Sequence, residues 1–395
     1  MIRPVLGALL AIGVAGCSAP GISPSQYGGS IDDVTHSRAS SYRIVYRFPG
    51  GAGGQHPAYG ALEADGNVLF GTTEKGGAKD GGVVYALSAA EKVRVLHVFG
   101  KGQDGARPVY GLTTAKNYLY GTTTFGGGSD GICLSSGCGT VFRITRGGTE
   151  QIVHAFQRSD GSFPYGIVMV AGTLYGITSE GGKFNRGTAF SLLPNGRMHV
   201  LHEFGAASDG SHPIGTLLFA NGALFGTTRT GPGSTGAGIV FRLSLNGVER
   251  ILHVFKGKPD GASPAAGLIK AGKVLYGTTQ FGGTRDFGTV FSITQAGAEH
   301  VIHSFTNRPD GLQPLAALTV RGATFYGTTV SGGANGGGTI YSLTAAGSER
   351  VLHSFGSGSD GFSPFAALTL LNGTLYGTTA NGGNGNQGTL YAFTP

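Results

Sequence analysis

A Tyr or Phe followed by Gly returns at Phe70, Tyr120, Tyr175, Phe225, Tyr276, Tyr326 and Tyr376, with spacings of 50, 55, 50, 51, 50 and 50 residues. Three further markers keep the same period. A Gly-x-apolar-aromatic segment ends at Tyr85, Phe142, Phe190, Phe241, Phe291, Tyr341 and Tyr391. Segments such as VLHSF end at Phe48, Phe99, Phe156, Phe204, Phe255, Phe305 and Phe355. Pro57, Pro108, Pro164, Pro213, Pro264, Pro314 and Pro364 supply the fourth. Seven copies of one unit impose a repeat architecture, in which each unit completes its core against its neighbours.

Each unit reads as four short strands. Alternating, β-branched and aromatic stretches such as TLYGTT and GTVFSIT are broken by Gly-Gly, Asn-Gly and Asp-Gly turns. The chain holds 75 glycines without a three-residue period, which excludes collagen, and its 40% apolar content is enough for a core. Repeats of this length with four strands fit a β-propeller better than a β-helix. The ends agree. A lone fourth-type strand runs from Tyr42 to Phe48, and the last unit stops after its third strand at Pro395. The expected fold is all-β, a seven-bladed propeller over 41–395, closed by the N-terminal strand pairing with the last unit. Gly71 and its equivalents sit inside a strand, where the missing side chain is expected to permit close sheet-to-sheet approach.

The segments LYGTTxxGG, GTVF and DGxxP resemble the Gloeo/Verruco ("GloVer") tandem-repeat family over residues 41–395. That resemblance implies a surface protein with one of several anchors, and it brings no catalytic residues to carry over.

The N-terminus suggests an anchor. Arg3 precedes a short apolar run, and Val14-Ala15-Gly16-Cys17 resembles the lipobox of bacterial lipoproteins. The reading is a signal peptide over 1–16, a lipid on Cys17, and a Ser- and Gly-rich linker over 17–40. The lipid would tie the protein to a membrane of the cell envelope, and Ser18 favours the outer membrane. Plain secretion is the alternative. The net charge of +7 is scattered, with no basic stripe of the kind nucleic acid requires.

No reactive motif is present: neither GxSxG, HExxH, CxxC nor a phosphate loop. His97, His154, His202, His253, His303 and His353 occupy one place in the repeat, with Tyr46 as the seventh. In a propeller they fall in different blades, so they cannot jointly ligate one metal. Packing against the next blade, with a backbone hydrogen bond, is expected instead. The Asp-Gly pairs that follow read as turns, with calcium as the lesser alternative. No metal or cofactor is expected.

Positions that vary between units show where a site could be grafted. Near the prolines, His56, Tyr59, Arg107, Tyr110, Tyr165 and His212 concentrate polar and aromatic groups on the first four units. They are the ligand-binding candidates, at one mouth of the central channel. The leading expectation is an envelope-anchored binding or scaffold lipoprotein, with a glycan or envelope protein as ligand and without catalysis. A polysaccharide lyase or hydrolase at the channel mouth and a purely structural envelope protein are the alternatives. Finally, Cys133 and Cys138 lie in the one substantial insertion and should form a disulfide in an exported protein.

Overall fold

The computed structural model describes residues 41–57, 59–100, 102–128, 133, 136–232, 236–356 and 359–395. Residues 1–40, where a signal peptide, a lipid on Cys17 and a linker are expected, lie outside the described residues. The rest is the expected seven-bladed propeller of antiparallel four-stranded sheets. One complete blade comprises Ser162–Val170, Thr173–Glu180, Thr188–Leu192 and Met198–Glu203, in that order from channel to rim. Among the described residues no helix is long and apolar enough to cross a membrane.

The ring closes as the repeat requires. Strand Ser41–Arg47 pairs antiparallel with Thr389–Thr394, placing Tyr42 opposite Phe393 and Ile44 opposite Tyr391. The first described strand is therefore the outer strand of the last blade, which without it would end at its third strand.

Rings of aromatic side chains hold the blades together. The Phe that ends each outer strand packs on the third-strand aromatic of the next blade, from Phe48 on Tyr85 to Phe355 on Tyr391, with all seven centroid separations between 5.0 and 5.3 Å. These residues are buried almost completely. Edge-to-face pairs add about 0.5–1.5 kcal/mol each beyond area burial.

The in-strand glycines serve a different contact from the one expected. A Cβ on Gly176 would stand 2.5 Å from Cζ of Phe190, its cross-strand partner, and one on Gly226 would meet Phe241 equally closely. The space is taken by a ring of the same blade, lying across the glycine, not by the neighbouring sheet.

A second constraint lies at the prolines. The residue before each proline has φ between 51° and 58°, from His56 to Ser363, although none is glycine. That region is uncommon for L-residues. Each of these residues donates its N–H to a carbonyl of the preceding blade, at 2.6–3.0 Å. The backbone is thus fixed seven times over while the side chain varies.

Candidate functional site

The inner strands surround a central cavity of about 570 Å³. Tyr59, Tyr110 and Tyr165 enter it from three consecutive blades, while Gly215, Ala266 and Ala316 line it further round. Tyr110 and Tyr165 stack with centroids 4.1 Å apart, and Tyr59 tilts against Phe365 at 4.7 Å. Threonines of the second strands hold the backbone beneath: Thr72 Oγ1 donates to the Tyr110 carbonyl and Thr122 Oγ1 to that of Tyr165. Tyr59 remains 45% exposed, so an aromatic face is open to a ligand.

Arg229, at the end of the fourth blade's second strand, also lines the cavity. Its positive charge works against the rise of the Tyr59 and Tyr110 phenols, which burial drives above their ordinary range. Glu63 joins the lining, with its carboxyl raised by burial while it accepts the Thr114 N–H. The sequence reading missed both residues.

The other three candidates lie apart from this cavity. His56 lines a smaller neighbouring pocket with Tyr59 and Glu74, and its Nδ1 lies 3.0 Å from the Ala380 carbonyl. Arg107 pairs with Glu74 at 3.4 Å and sits over the Phe125 ring. His212 has Nδ1 3.4 Å from Thr230 Oγ1, and burial lowers its affinity for a proton. His56, Arg107 and His212 are thus held at separate blade junctions. Cys133 and Cys138 form the disulfide, with Cα atoms 5.2 Å apart. The Cys138 carbonyl accepts the Phe163 N–H, and Phe163 packs edge-on against Phe125. This ties the insertion to the proline side of the ring.

The repeated histidines are not bonded to backbone as expected. In six blades Nε2 faces the carboxylate of the following Asp-Gly turn, at 2.9–3.1 Å. At four junctions a glutamate from the next blade joins the pair, giving His97–Asp104–Glu150, His202–Asp209–Glu249, His253–Asp260–Glu299 and His303–Asp310–Glu349. In each group one ligand atom per residue lies within 4.8 Å of the others. Burial, and then the adjacent aspartate, pushes each of these glutamates up to about 7. These are groups able to hold a proton or a cation near neutrality.

Fold and cavity together define a seven-bladed β-propeller with a tyrosine-faced channel. The chain belongs to the Gloeobacter/Verrucomicrobia repeat family, whose pattern matches residues 22–235, 132–321 and 219–395. No curated protein matches it in sequence. Among solved structures, an oligogalacturonate lyase in complex with manganese is similar at TM-score 0.56 and 15% identity, over 86% of this chain and 89% of that one. The polysaccharide lyase Uly1 is similar at TM-score 0.50 and 11% identity, over 88% and 90%. These likenesses establish the shared fold.

The sequence weighed against catalysis, and that expectation is corrected. The chain assembles four His–Asp–Glu groups that single-unit reading could not see, a combination of titratable side chains from which catalytic sites are built. The absence of a linear motif gave no ground for excluding an enzyme, because propeller sites are assembled from several blades.

Proposed function

We propose that the protein is a polysaccharide-acting enzyme, a lyase for uronate-containing chains, with its site at the tyrosine-lined channel mouth. The observation that carries this is the convergence of Tyr59, Tyr110, Tyr165 and Arg229 on one cavity. The stacked Tyr110–Tyr165 pair offers a platform for a sugar ring. Arg229, which has no ion-pair partner among the described residues, suits a sugar carboxylate.

The chemistry follows from these groups. With Arg229 neutralising the carboxylate, the adjacent C–H becomes acidic enough for a base to remove its proton. For a polysaccharide chain that spans the cavity and the adjoining pocket, which share Tyr59, His56 of that pocket is the base: Nδ1–H donates to the Ala380 carbonyl, so Nε2 carries the lone pair. The C–H electrons form the new C=C bond as the glycosidic C–O bond breaks. Tyr59 lines both pockets and stays protonated through burial and the nearby Glu74. It supplies the proton to the departing oxygen.

The same proposal places the enzyme at the cell envelope, lipid-anchored through Cys17, within reach of extracellular polysaccharide.

The test is incubation with a panel of uronate and neutral polysaccharides, following ultraviolet absorbance of the unsaturated product together with reducing ends. Cleavage of a uronate chain that falls at least 100-fold in Arg229→Gln supports the proposal. Reducing ends without unsaturation indicate a hydrolase and overturn the elimination step. Binding without either product overturns catalysis and leaves the envelope-binding role.

A further inference from the structure

The Glu members of the junction groups occupy one structural position, the first residue of the outer strand, cross-strand from Ile144, Leu243, Ile293 and Leu343. At the remaining junctions the same position holds Met198, Tyr42 and Val93. The chain therefore contains its own comparison. Where Met198 replaces glutamate, His154 and Asp160 still pair at 3.1 Å, so the His–Asp contact needs no third member. Where Tyr42 replaces it, the hydroxyl donates to Asp360 Oδ1 and supplies the carboxylate with a proton donor. Val93 faces the junction where Tyr46 replaces histidine, and no aspartate is present.

Glutamate offers the aspartate no such donor when ionised. Instead it sets a second carboxylate against the first, in a partly buried place between the blades. Oε1 of Glu150, Glu249, Glu299 and Glu349 is buried and, with the glutamates ionised, meets no hydrogen-bond donor; at Glu249 a proton shared with Asp209 is the alternative to a cation. In the His303 group Asp310, only 7% exposed, has Oδ1 unpartnered as well. Buried carboxylate oxygens without donors are costly. Four repetitions of the same orphaned atom, aimed at an imidazole and a second carboxylate, describe a site built for positive charge.

We propose that these four blade junctions bind divalent transition-metal cations, each held by His Nε2 and Asp from one blade and Glu from the next. One imidazole and two carboxylates are the donor set of zinc or manganese rather than of magnesium, and three protein ligands leave room for water. The observed His–Asp separation of about 3 Å is the edge expected between two ligands each about 2 Å from a metal. To bind, the imidazole must offer a lone pair at Nε2. A neutral ring shifts its proton to Nδ1, and a protonated ring releases one proton to solvent; in either case the cation takes the place of the Nε2 proton. Because the ligands come from two blades, each cation fastens neighbouring units. The sites lie on outer strands, separate from the channel, and do not depend on its proposed activity.

The test uses untagged protein stripped with chelator and titrated with zinc chloride by calorimetry, with metal content checked by elemental analysis after desalting. Four equivalents per chain are expected, together with a rise in melting temperature. The Glu→Met variants E150M, E249M, E299M and E349M copy the Met198 junction, which the fold already accommodates. Each should remove one equivalent, and the quadruple variant all four. His154→Ala, at the junction without glutamate, should leave four. Cobalt in place of zinc should give the visible absorption of a site with few ligands, absent in the quadruple variant. No retained zinc in the wild type, or equal retention in wild type and quadruple variant, overturns the proposal.

Discussion

The ring of Tyr42 lies flat on that of His353, with centroids 3.7 Å apart and planes 11° from parallel. Tyr42 belongs to the closing strand and His353 to the blade before it, so this stack joins the first described strand to the outer strand of blade six. The Tyr42 hydroxyl also donates to Asp360, whose other oxygen faces His353. Tyr42→Phe keeps the stack and removes the donor, and should lower unfolding free energy by about 1–2 kcal/mol. Deleting 41–48 should do far more, leaving an open edge that unfolds or pairs between molecules. Denaturant titration and light scattering check both; a deletion variant that stays monomeric with unchanged melting temperature refutes closure as a source of stability.

Gly176→Ala should destabilise by about 1–3 kcal/mol, the usual range for overfilling a packed site, since its Cβ meets the Phe190 ring tip. Phe190→Leu shortens the obstructing side chain. The double variant should therefore be more stable than the sum of the two losses, a coupling read from a double-mutant cycle.

At the channel, Tyr110→Ala with Tyr165→Ala should weaken oligosaccharide binding at least 30-fold, about 2 kcal/mol or more for loss of an aromatic platform. Gly215 and Ala266 occupy the place of Tyr110 in other blades, and Ala265 that of Tyr165, so the fold should persist. Arg107→Ala, which removes a residue paired with Glu74 outside the main cavity, should leave binding within about threefold of wild type, about 0.6 kcal/mol or less. Equal losses in both variants would move the site toward the rim.

The four junction glutamates make a pH signature in metal-free protein. Their ordinary value is 4.5, and in the native state each rises to about 7. The native chain thus holds more protons than the unfolded one between those values. Stability from this source is complete below pH 4.5 and is lost as pH rises through 7. The melting temperature of stripped protein should fall across that window, and the quadruple Glu→Met variant should lose most of the fall.

Reducing the Cys133–Cys138 bond should cost about 2 kcal/mol or less, because the closed loop is short. The propeller should remain folded. The effect should appear locally, as faster amide exchange at Phe163, whose N–H bonds to the Cys138 carbonyl.

Much of the fold was legible because a repeat states its own boundaries, and the two incomplete ends named each other as partners. Tyr59, Tyr110 and Tyr165 were found by asking which units depart from the common pattern. Arg229 was missed because the comparison stopped at the prolines; its equivalents, Glu74, Thr124, Ser179, Gln280, Val330 and Ala380, vary as much. The His–Asp–Glu groups escaped for a different reason. Each glutamate stands four residues before a histidine in its own strand, which invites pairing within the unit. Its actual partner is the histidine one blade earlier, and only the curvature of the ring brings them together.

Closure between Tyr42 and Asp360, 318 positions apart, also sets an order of events. The outer strand Ser41–Arg47 has no partner until Thr389–Thr394 exists, so the seventh blade is assembled from the two ends of the repeat array. The ring is in this sense a single long-range bond between those ends, and whatever draws one of them away opens the same seam.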